Sequence, residues 1–178
     1  MCRTSISIVA AALLASCASA GQRTIPAFSG MELEESLSGP LTLARACFEK
    51  DFQVSNHAEA DVVIYKNVVE SSEYYVIFGN ALSGRLTVSK CKNPSYSKVV
   101  DVSDIHLSDL IGETAEGPVR SILNEGVLDG SSYIVDIRGN RPQRFGYYGA
   151  GTFADSSEAE GTLADWVSFT NLVIDRAE

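Results

Sequence analysis

Residues 60–102 read ADVVIYKNVVESSEYYVIFGNALSGRLTVSKCKNPSYSKVVDV. This stretch contains four short runs rich in β-branched and aromatic residues, a composition typical of β-strands. The breaks between the runs are short enough for hairpins or tight turns. We therefore predict an antiparallel meander whose four strands cover residues 60–69, 73–79, 84–90 and 98–102.

A helix is predicted immediately before this meander. Gly39-Pro40 places a proline at the first helical position, where its missing N–H costs nothing. Leu41, Ala44, Phe48 and Phe52 then recur at the spacing of one helix face. The pattern predicts a helix over residues 40–51.

A second helix is predicted after the meander, where the hydrophobic period of residues 107–125 changes. Pro118 follows Gly117 and would open the helix, and Gly126 would end it. An earlier start, near Asp109, is an alternative. The apolar face would carry Val119, Ile122 and Leu123.

The residue patterns in the C-terminal part of the sequence predict a further strand and a third helix. Residues 132–138 alternate as a strand does, and residues 163–177 follow the 3.6-residue period of a helix. Thr162 and Asp165 form a candidate capping box at the start of this helix. The β-branched and aromatic content of 163–177 also fits a strand. An antiparallel sheet with two or three helices packed on one face makes an α+β fold.

The first twenty residues have the pattern of an export leader. Arg3 precedes an apolar run, Ile6–Ala15, which is too short to span a bilayer and is followed by small residues. Within the leader, Leu14-Ala15-Ser16-Cys17 resembles the bacterial lipobox, whose cysteine receives diacylglycerol on its thiol before cleavage. The resemblance implies a lipoprotein that loses signal peptide 1–16 and begins at an acylated, palmitate-type anchor on Cys17.

This resemblance also implies a location and an organisation of the mature chain. Ala18, a residue other than aspartate after the cysteine, implies an outer-membrane lipoprotein facing the periplasm, with the lipid bilayer as a partner. Residues 17–39 would be a flexible tether, and residues 40–178 a single domain. As an alternative, Ala18-Ser19-Ala20 resembles the A-x-A site of ordinary signal peptidase, and cleavage after Ala20 would release a soluble periplasmic or secreted protein.

The four cysteines fall into separate roles. Cys2 is lost with the leader and Cys17 is the candidate lipidation site. Cys47 and Cys91 remain, and in an oxidising compartment an even pair predicts a disulfide. Two separate buried thiols are the alternative.

The charge of the chain disfavours nucleic acid as a partner. The formal net charge is −9 at pH 7, whereas proteins that bind phosphate backbones need clustered lysines and arginines. The simplest explanation of the acidic charge is that it keeps the protein soluble.

Candidate catalytic and metal-binding residues are sparse. The sequence has no G-x-S-x-G, S-x-x-K or H-E-x-x-H motif. His57, Glu59 and Asp61 would lie on one side of an extended segment, but a metal site there would still need a further ligand from elsewhere. His106 lies among aspartates, where Ser108 or Asp109 is predicted to cap a helix. We therefore expect no catalytic residues, no metal and no cofactor.

One basic and aromatic patch stands out in this acidic chain. It consists of Arg138, Arg141, Arg144, Tyr147 and Tyr148. Arginine and tyrosine are enriched where partners dock, so the patch is a candidate binding surface. The alternative is a twisted strand with charged flanks.

The function predicted from these patterns is non-enzymatic. The protein would be an outer-membrane-anchored periplasmic lipoprotein that binds another envelope component, with an envelope protein as the partner. Two alternatives stay open: a secreted soluble binding protein cleaved after Ala20, and an envelope hydrolase without a recognisable motif.

Overall fold

A computed structural model describes much of the predicted domain. The leader, Cys17, the predicted helix over 40–51 with Cys47, and His57 lie outside the described residues. Backbone alone is described at 22–25, 121–124 and 150. The described ranges are 22–25, 60–68, 71–92, 94–116, 119, 121–124, 130–139, 141–150 and 161–178.

The described residues form one mixed sheet and two α-helices. The strand order in the sheet is β1-β6-β8-β7-β2-β3-β4-β5. A short 3-10 turn, Ala81–Ser83, joins β3 to β4. The elements are β1 (Gln22–Ile25), β2 (Val62–Val68), β3 (Glu73–Asn80), β4 (Arg85–Cys91), β5 (Tyr96–Asp101), α1 (Leu107–Glu116), β6 (Ser121–Asn124), β7 (Gly130–Ile137), β8 (Gln143–Ala150) and α2 (Thr162–Ala177).

The predicted meander is confirmed. Strands β2 to β5 pair antiparallel in chain order, with Ile64 opposite Ile77 and Ile77 opposite Val88. Strand β7 pairs antiparallel with both β2 and β8, which extends the same pattern. The exception is β6, which runs parallel to β8.

Strand β2 lies in the middle of the sheet and is buried on both faces. The consecutive residues Val62, Val63 and Ile64 are each 0% exposed. Because a strand covered on two sides favours apolar side chains on both faces, residues 62–65 of β2 are a continuous hydrophobic run instead of an alternation. The buried polar residues Lys66 and Asn67 follow this run. Tyr65 and Ile134 belong to the core on one face, whereas Ile64 and Val135 belong to the core on the other.

Both described helices pack on one face of the sheet, which confirms the predicted α+β fold. Leu107 of α1 and Trp166, Phe169 and Val173 of α2 join the same core cluster as Ile64. The helical interpretation of the C-terminal segment is therefore correct, and the strand alternative is not. Neither described helix is long and apolar enough to cross a membrane.

The predicted helix opened by Pro118 is wrong. The helix ends at Glu116, and Ser121–Asn124 is strand β6, which pairs with β1 and β8. A Gly-Pro pair can follow a helix as well as begin one, because proline disfavours the helical conformation of the residue before it. Ile122 and Leu123 satisfy a strand equally well.

Part of the predicted tether belongs to the sheet. Gln22–Ile25 forms β1, the edge strand that pairs antiparallel with β6. The sheet therefore begins earlier in the chain than the sequence predicts. The other residues of segment 17–39 lie outside the described residues, where a tether stays a prediction.

The predicted caps of the two helices are corrected. Gly161 is the N-cap of α2 and has no side-chain cap, so Thr162 and Asp165 do not form a capping box. At α1 the backbone carbonyl of His106 accepts from the Asp109 and Leu110 N–H groups. Ser108 and Asp109 therefore lie inside the first turn. Asp109 still favours the helix there, since a carboxylate near an N-terminus is stabilised by the helix dipole.

Candidate functional site

Strand β8 divides the predicted arginine and tyrosine patch between the two faces of the sheet, since successive side chains point to opposite sides. Tyr147 is 0% exposed in the helix-covered core, where its ring centroid lies 6.0 Å from that of Tyr133. A side chain at Gly149 would overlap Tyr147, so this glycine makes room for a core tyrosine. Tyr148 packs against the core on the opposite face.

Arg144 is held by an ion pair across the sheet. Its Nη2 lies 3.0 Å from Oδ2 of Asp136, the residue directly opposite on β7. Arg138 approaches the same oxygen at 3.9 Å. Arg144 therefore contributes to strand pairing, as cross-strand pairs of opposite charge do.

A cleft lies between the C-terminal half of α1 and the β7–β8 hairpin. Its volume is about 230 Å³. Two residues of the predicted patch, Arg138 and Arg141, lie in its wall, and the rest of the wall comes from α1 and from the facing strand ends. The lining residues are Ile111, Thr114, Ala115, Ile137, Arg138, Arg141 and Gln143.

Arg141 connects the hairpin to the helix. Its Nη1 donates to the Ala115 carbonyl oxygen at 3.0 Å. The last carbonyls of a helix have no partner within the helix, and a cation is favoured at this end. Within the described part of the chain, no ion pair joins Arg141 to a carboxylate.

The walls of the cleft are fixed by buried polar contacts. Gln143 Nε2 donates to the Thr114 carbonyl oxygen at 2.5 Å, and Trp166 Nε1 donates to Thr114 Oγ1 at 2.8 Å. The Thr114 hydroxyl donates to the Leu110 carbonyl oxygen at 2.7 Å. Because buried polar groups that find partners hold their elements in one arrangement, α1, α2 and β8 present a preformed cleft.

Nothing in the sequence pattern pointed to Thr114 or Gln143. Both are buried polar residues, and the hydrogen bonds that join them to each other and to Trp166 connect residues more than twenty positions apart in the chain. Periodicity reports which face of an element is apolar, and it does not report which polar groups meet between elements. The arginines were found because their type and clustering are unusual in an acidic chain.

The aspartates around His106 are engaged in structural contacts. Arg176 makes a bidentate ion pair with Asp104, in which Nη1 lies 2.6 Å from Oδ1 and Nη2 lies 2.7 Å from Oδ2. Asp101 accepts from Ser103, and this hydrogen bonding holds the pKa of the Asp101 carboxyl below its ordinary value. Among the described residues, no group of three His, Cys, Asp or Glu side chains is arranged to hold a metal ion.

Cys91 ends strand β4 and is buried in the core of the second face. The residue is disulfide-bonded, and its partner lies outside the described residues. The pairing with Cys47 stays a prediction.

A second polar cluster surrounds Lys66 beneath the C-terminal half of α2. Lys66 is 2% exposed, and its Nζ donates to Asn171 Oδ1 at 2.8 Å. The ammonium also lies 5.2 Å from the centroid of the Tyr133 ring and 6.0 Å from that of Tyr75. Aromatic faces attract cations, so these contacts partly offset the cost of burying a charge.

Burial dominates the acid-base behaviour of Lys66. Loss of hydration lowers its pKa from 10.5 to about 8, although the charges of Asp175, Glu178 and Glu73 act in the opposite direction. The amine nevertheless lies in the core under α2, away from the arginine cleft. We therefore treat it as a structural group.

Lys90 and Lys98 lie on the same face of neighbouring strands. Lys90 Nζ lies 2.8 Å from Glu73 Oε1 and 3.4 Å from Glu178 Oε1, and Lys98 donates to the Ala177 carbonyl. Burial works against the Lys90 charge, but its hydrogen bonds to Glu73 and Tyr75 raise its pKa. Cations at this end of a helix complement the helix dipole, so these lysines hold the end of α2 on the sheet.

Comparisons with known proteins provide no relative. No protein-family model, curated protein or solved structure matches the chain. The candidate function therefore rests on this chain's own residues.

Proposed function

We propose that this protein is a non-enzymatic lipoprotein of the outer membrane, anchored through an acylated Cys17 and facing the periplasm. Its α+β domain binds another envelope component. The observation that carries the binding role is the preformed cleft that presents Arg138 and Arg141. The leader motif Leu14-Ala15-Ser16-Cys17 supports the anchor.

The cleft favours binding over catalysis on chemical grounds. Its polar side chains are two guanidiniums, a threonine and an amide. An arginine is protonated throughout the physiological range and does not serve as a general base there. A concave site with a few fixed polar groups and an apolar wall is typical of ligand recognition.

The anchor is tested by the intact mass of the mature protein from its native host. We expect a chain that begins at Cys17 and carries the added mass of its acyl chains. Stable anchoring needs two or more chains, so the protein should fractionate with membranes. An unmodified chain that begins at Gly21 would replace the lipoprotein proposal with the secreted alternative.

The binding role is tested by charge reversal at Arg141. Mature protein carrying Arg141→Glu, used as bait on solubilised envelope, should capture about tenfold less of its partner, since like charge opposes docking. Arg144 is unsuitable for this test because reversing its charge would break the ion pair with Asp136.

Arg85→Glu is the matched control, because Arg85 is an exposed arginine at the start of β4 and outside the cleft. Its variant should capture the partner as the wild type does. Capture that is insensitive to Arg141→Glu would remove the cleft from the proposed function. Equal losses in both variants would indicate a general charge effect and would contradict the proposal as well.

A further inference from the structure

We propose that the outer edge of β5 pairs antiparallel with the β5 edge of a second copy of this chain. The pairing joins the two sheets into one continuous sheet, with Val99 of each copy on the two-fold axis. Strand β5 lies four places from β7 in the sheet, away from the cleft. The inference therefore does not depend on the proposed function.

Strand β5 forms one margin of the sheet. In the part of the chain that the structure describes, no strand pairs with its outer edge. Ser97, Lys98 and Val99 are exposed in the middle of the strand, and Val99 is 67% exposed. Because an open edge presents unpaired backbone N–H and C=O groups, another strand can add to it.

One hydrogen bond shows which backbone groups of β5 point outward. The Val102 N–H donates to the Gly84 carbonyl oxygen at 2.8 Å, directly after the last paired position of β5 and β4. Positions that bond to the partner alternate with positions that do not along an antiparallel pair. Counting back from Val102, the backbone groups that point away from β4 belong to Asp101, Val99 and Ser97.

Arg176 agrees with this direction at one end of the strand. Its Nη1 donates to the Asp101 carbonyl oxygen at 3.0 Å, so this oxygen is not turned towards β4. A carbonyl oxygen has two lone pairs and can accept a second hydrogen bond. The edge from Ser97 to Asp101 therefore offers donors and acceptors to an incoming strand.

The usual protections of an edge strand are missing from β5. Such strands are often interrupted by proline or a bulge, or carry lysines that extend from the edge. The six residues of β5, YSKVVD, include no proline, and their register with β4 is unbroken. Lys98 donates to the Ala177 carbonyl at the end of α2. Its ammonium is therefore held on the helix-covered face.

The symmetry of β5 favours a second copy as the occupant. With Val99 on the axis, Ser97 of each copy lies opposite Asp101 of the other, and outward N–H groups meet outward C=O groups. The two valines form an apolar pair, and cross-strand pairs of this kind stabilise a sheet. A register with Lys98 on the axis would place like charges opposite each other, which is unfavourable. The Val99 register is therefore preferred.

Sedimentation velocity of the full mature chain in a density-matched detergent tests the pairing. Six residues a side make a small interface, so the dimer should be reversible and form between about 1 μM and about 1 mM. Val99→Lys places two like charges on the axis and should weaken the dimer about tenfold or more. Leu82→Lys is the matched control, since Leu82 is 89% exposed and lies outside β5. It should dimerise as the wild type does.

A cysteine at the axis provides a second measurement, which decides the question if circular dichroism shows that Val99→Lys is unfolded. Opposed hydrogen-bonded residues have Cα atoms about 5.5 Å apart, a distance that a disulfide spans. Oxidised Val99→Cys should therefore give a covalent dimer on non-reducing electrophoresis, and Leu82→Cys at least about tenfold less.

Four results would overturn pairing with a second copy. They are a wild type that stays monomeric over the whole concentration range, dimerisation that survives Val99→Lys in the folded variant, an equal loss in Leu82→Lys, and equal cross-linking of the two cysteine variants.

Discussion

A Trp166→Ala variant should lose about 4 kcal/mol of unfolding free energy, because large-to-small changes of a buried aromatic residue leave a cavity and cost this much. Trp166 is 0% exposed and lies edge-on to two phenylalanines, with ring centroids 6.0 Å from Phe145 and 5.8 Å from Phe169. In a domain of this size the loss corresponds to a fall in melting temperature of roughly 10 °C. Urea denaturation of the mature chain measures the change.

Two companion variants separate the causes of this loss. Trp166→Phe keeps most of the ring contacts but removes the N–H donor to Thr114, and it should cost about 1 to 2 kcal/mol. Leu172→Ala alters a partly exposed residue of the same helix and should change stability by less than about 1 kcal/mol. If Trp166→Ala cost no more than Leu172→Ala, the packing of α2 on the sheet described above would be wrong.

The stability of the wild-type protein should rise with pH between about 8 and 10, and Lys66→Met should remove that rise. The folded pKa of Lys66 is lowered to about 8, whereas the unfolded chain retains the ordinary value of 10.5. Between these values the unfolded state binds more protons, so the unfolding free energy increases with pH. The full effect is roughly 3 kcal/mol.

The groups that face Lys66 do not produce this rise. Burial raises the pKa of Tyr75 and the contacts of Lys90 raise its pKa in the folded state, whereas the unfolded chain retains the ordinary values of 10.0 and 10.5. Towards pH 10 the unfolded state therefore binds fewer protons at these two groups, which opposes the rise and does not produce it. The hydrogen bonds of Glu73 lower its pKa, which places its titration far below. Asp175 and Glu178 are carboxylates that lie on α2 and just beyond it.

Denaturant midpoints from pH 7 to pH 10 measure the slope. Lys92→Met, a change at an exposed lysine, is the matched control and should retain the wild-type profile. A wild-type profile that is flat, or a rise that survives Lys66→Met, would contradict a buried ammonium at this position.

The parts of the fold that were predictable depend on short-range pattern. The meander follows from β-branched runs separated by tight turns, and α2 follows from a 3.6-residue period, because both patterns report contacts made within an element or between chain neighbours. Strand β6 was not predicted, because Ile122 and Leu123 are compatible with either a helix or a strand. Its strand conformation comes from pairing with β1 and β8, both distant in sequence.

The site was predictable in part. Composition alone identified Arg138 and Arg141. The placement of Tyr147 and Tyr148 on opposite faces of the sheet follows from the alternation of side chains along a strand. The burial of Lys66 was not foreseen, because lysine is almost never fully buried unless paired. Its acceptor, Asn171, lies on a helix 105 residues further along the chain.

The position of β1 limits how far the proposed anchor lets the domain travel. Cys17 and the start of β1 at Gln22 are five residues apart, and an extended chain covers at most about 3.6 Å per residue. The chain segment between the lipid and the sheet is therefore no longer than about 18 Å. A lipoprotein built in this way holds one edge of its sheet against the membrane surface. The opposite edge, β5, lies seven strand spacings away, roughly 34 Å into the periplasm if the sheet stands upright.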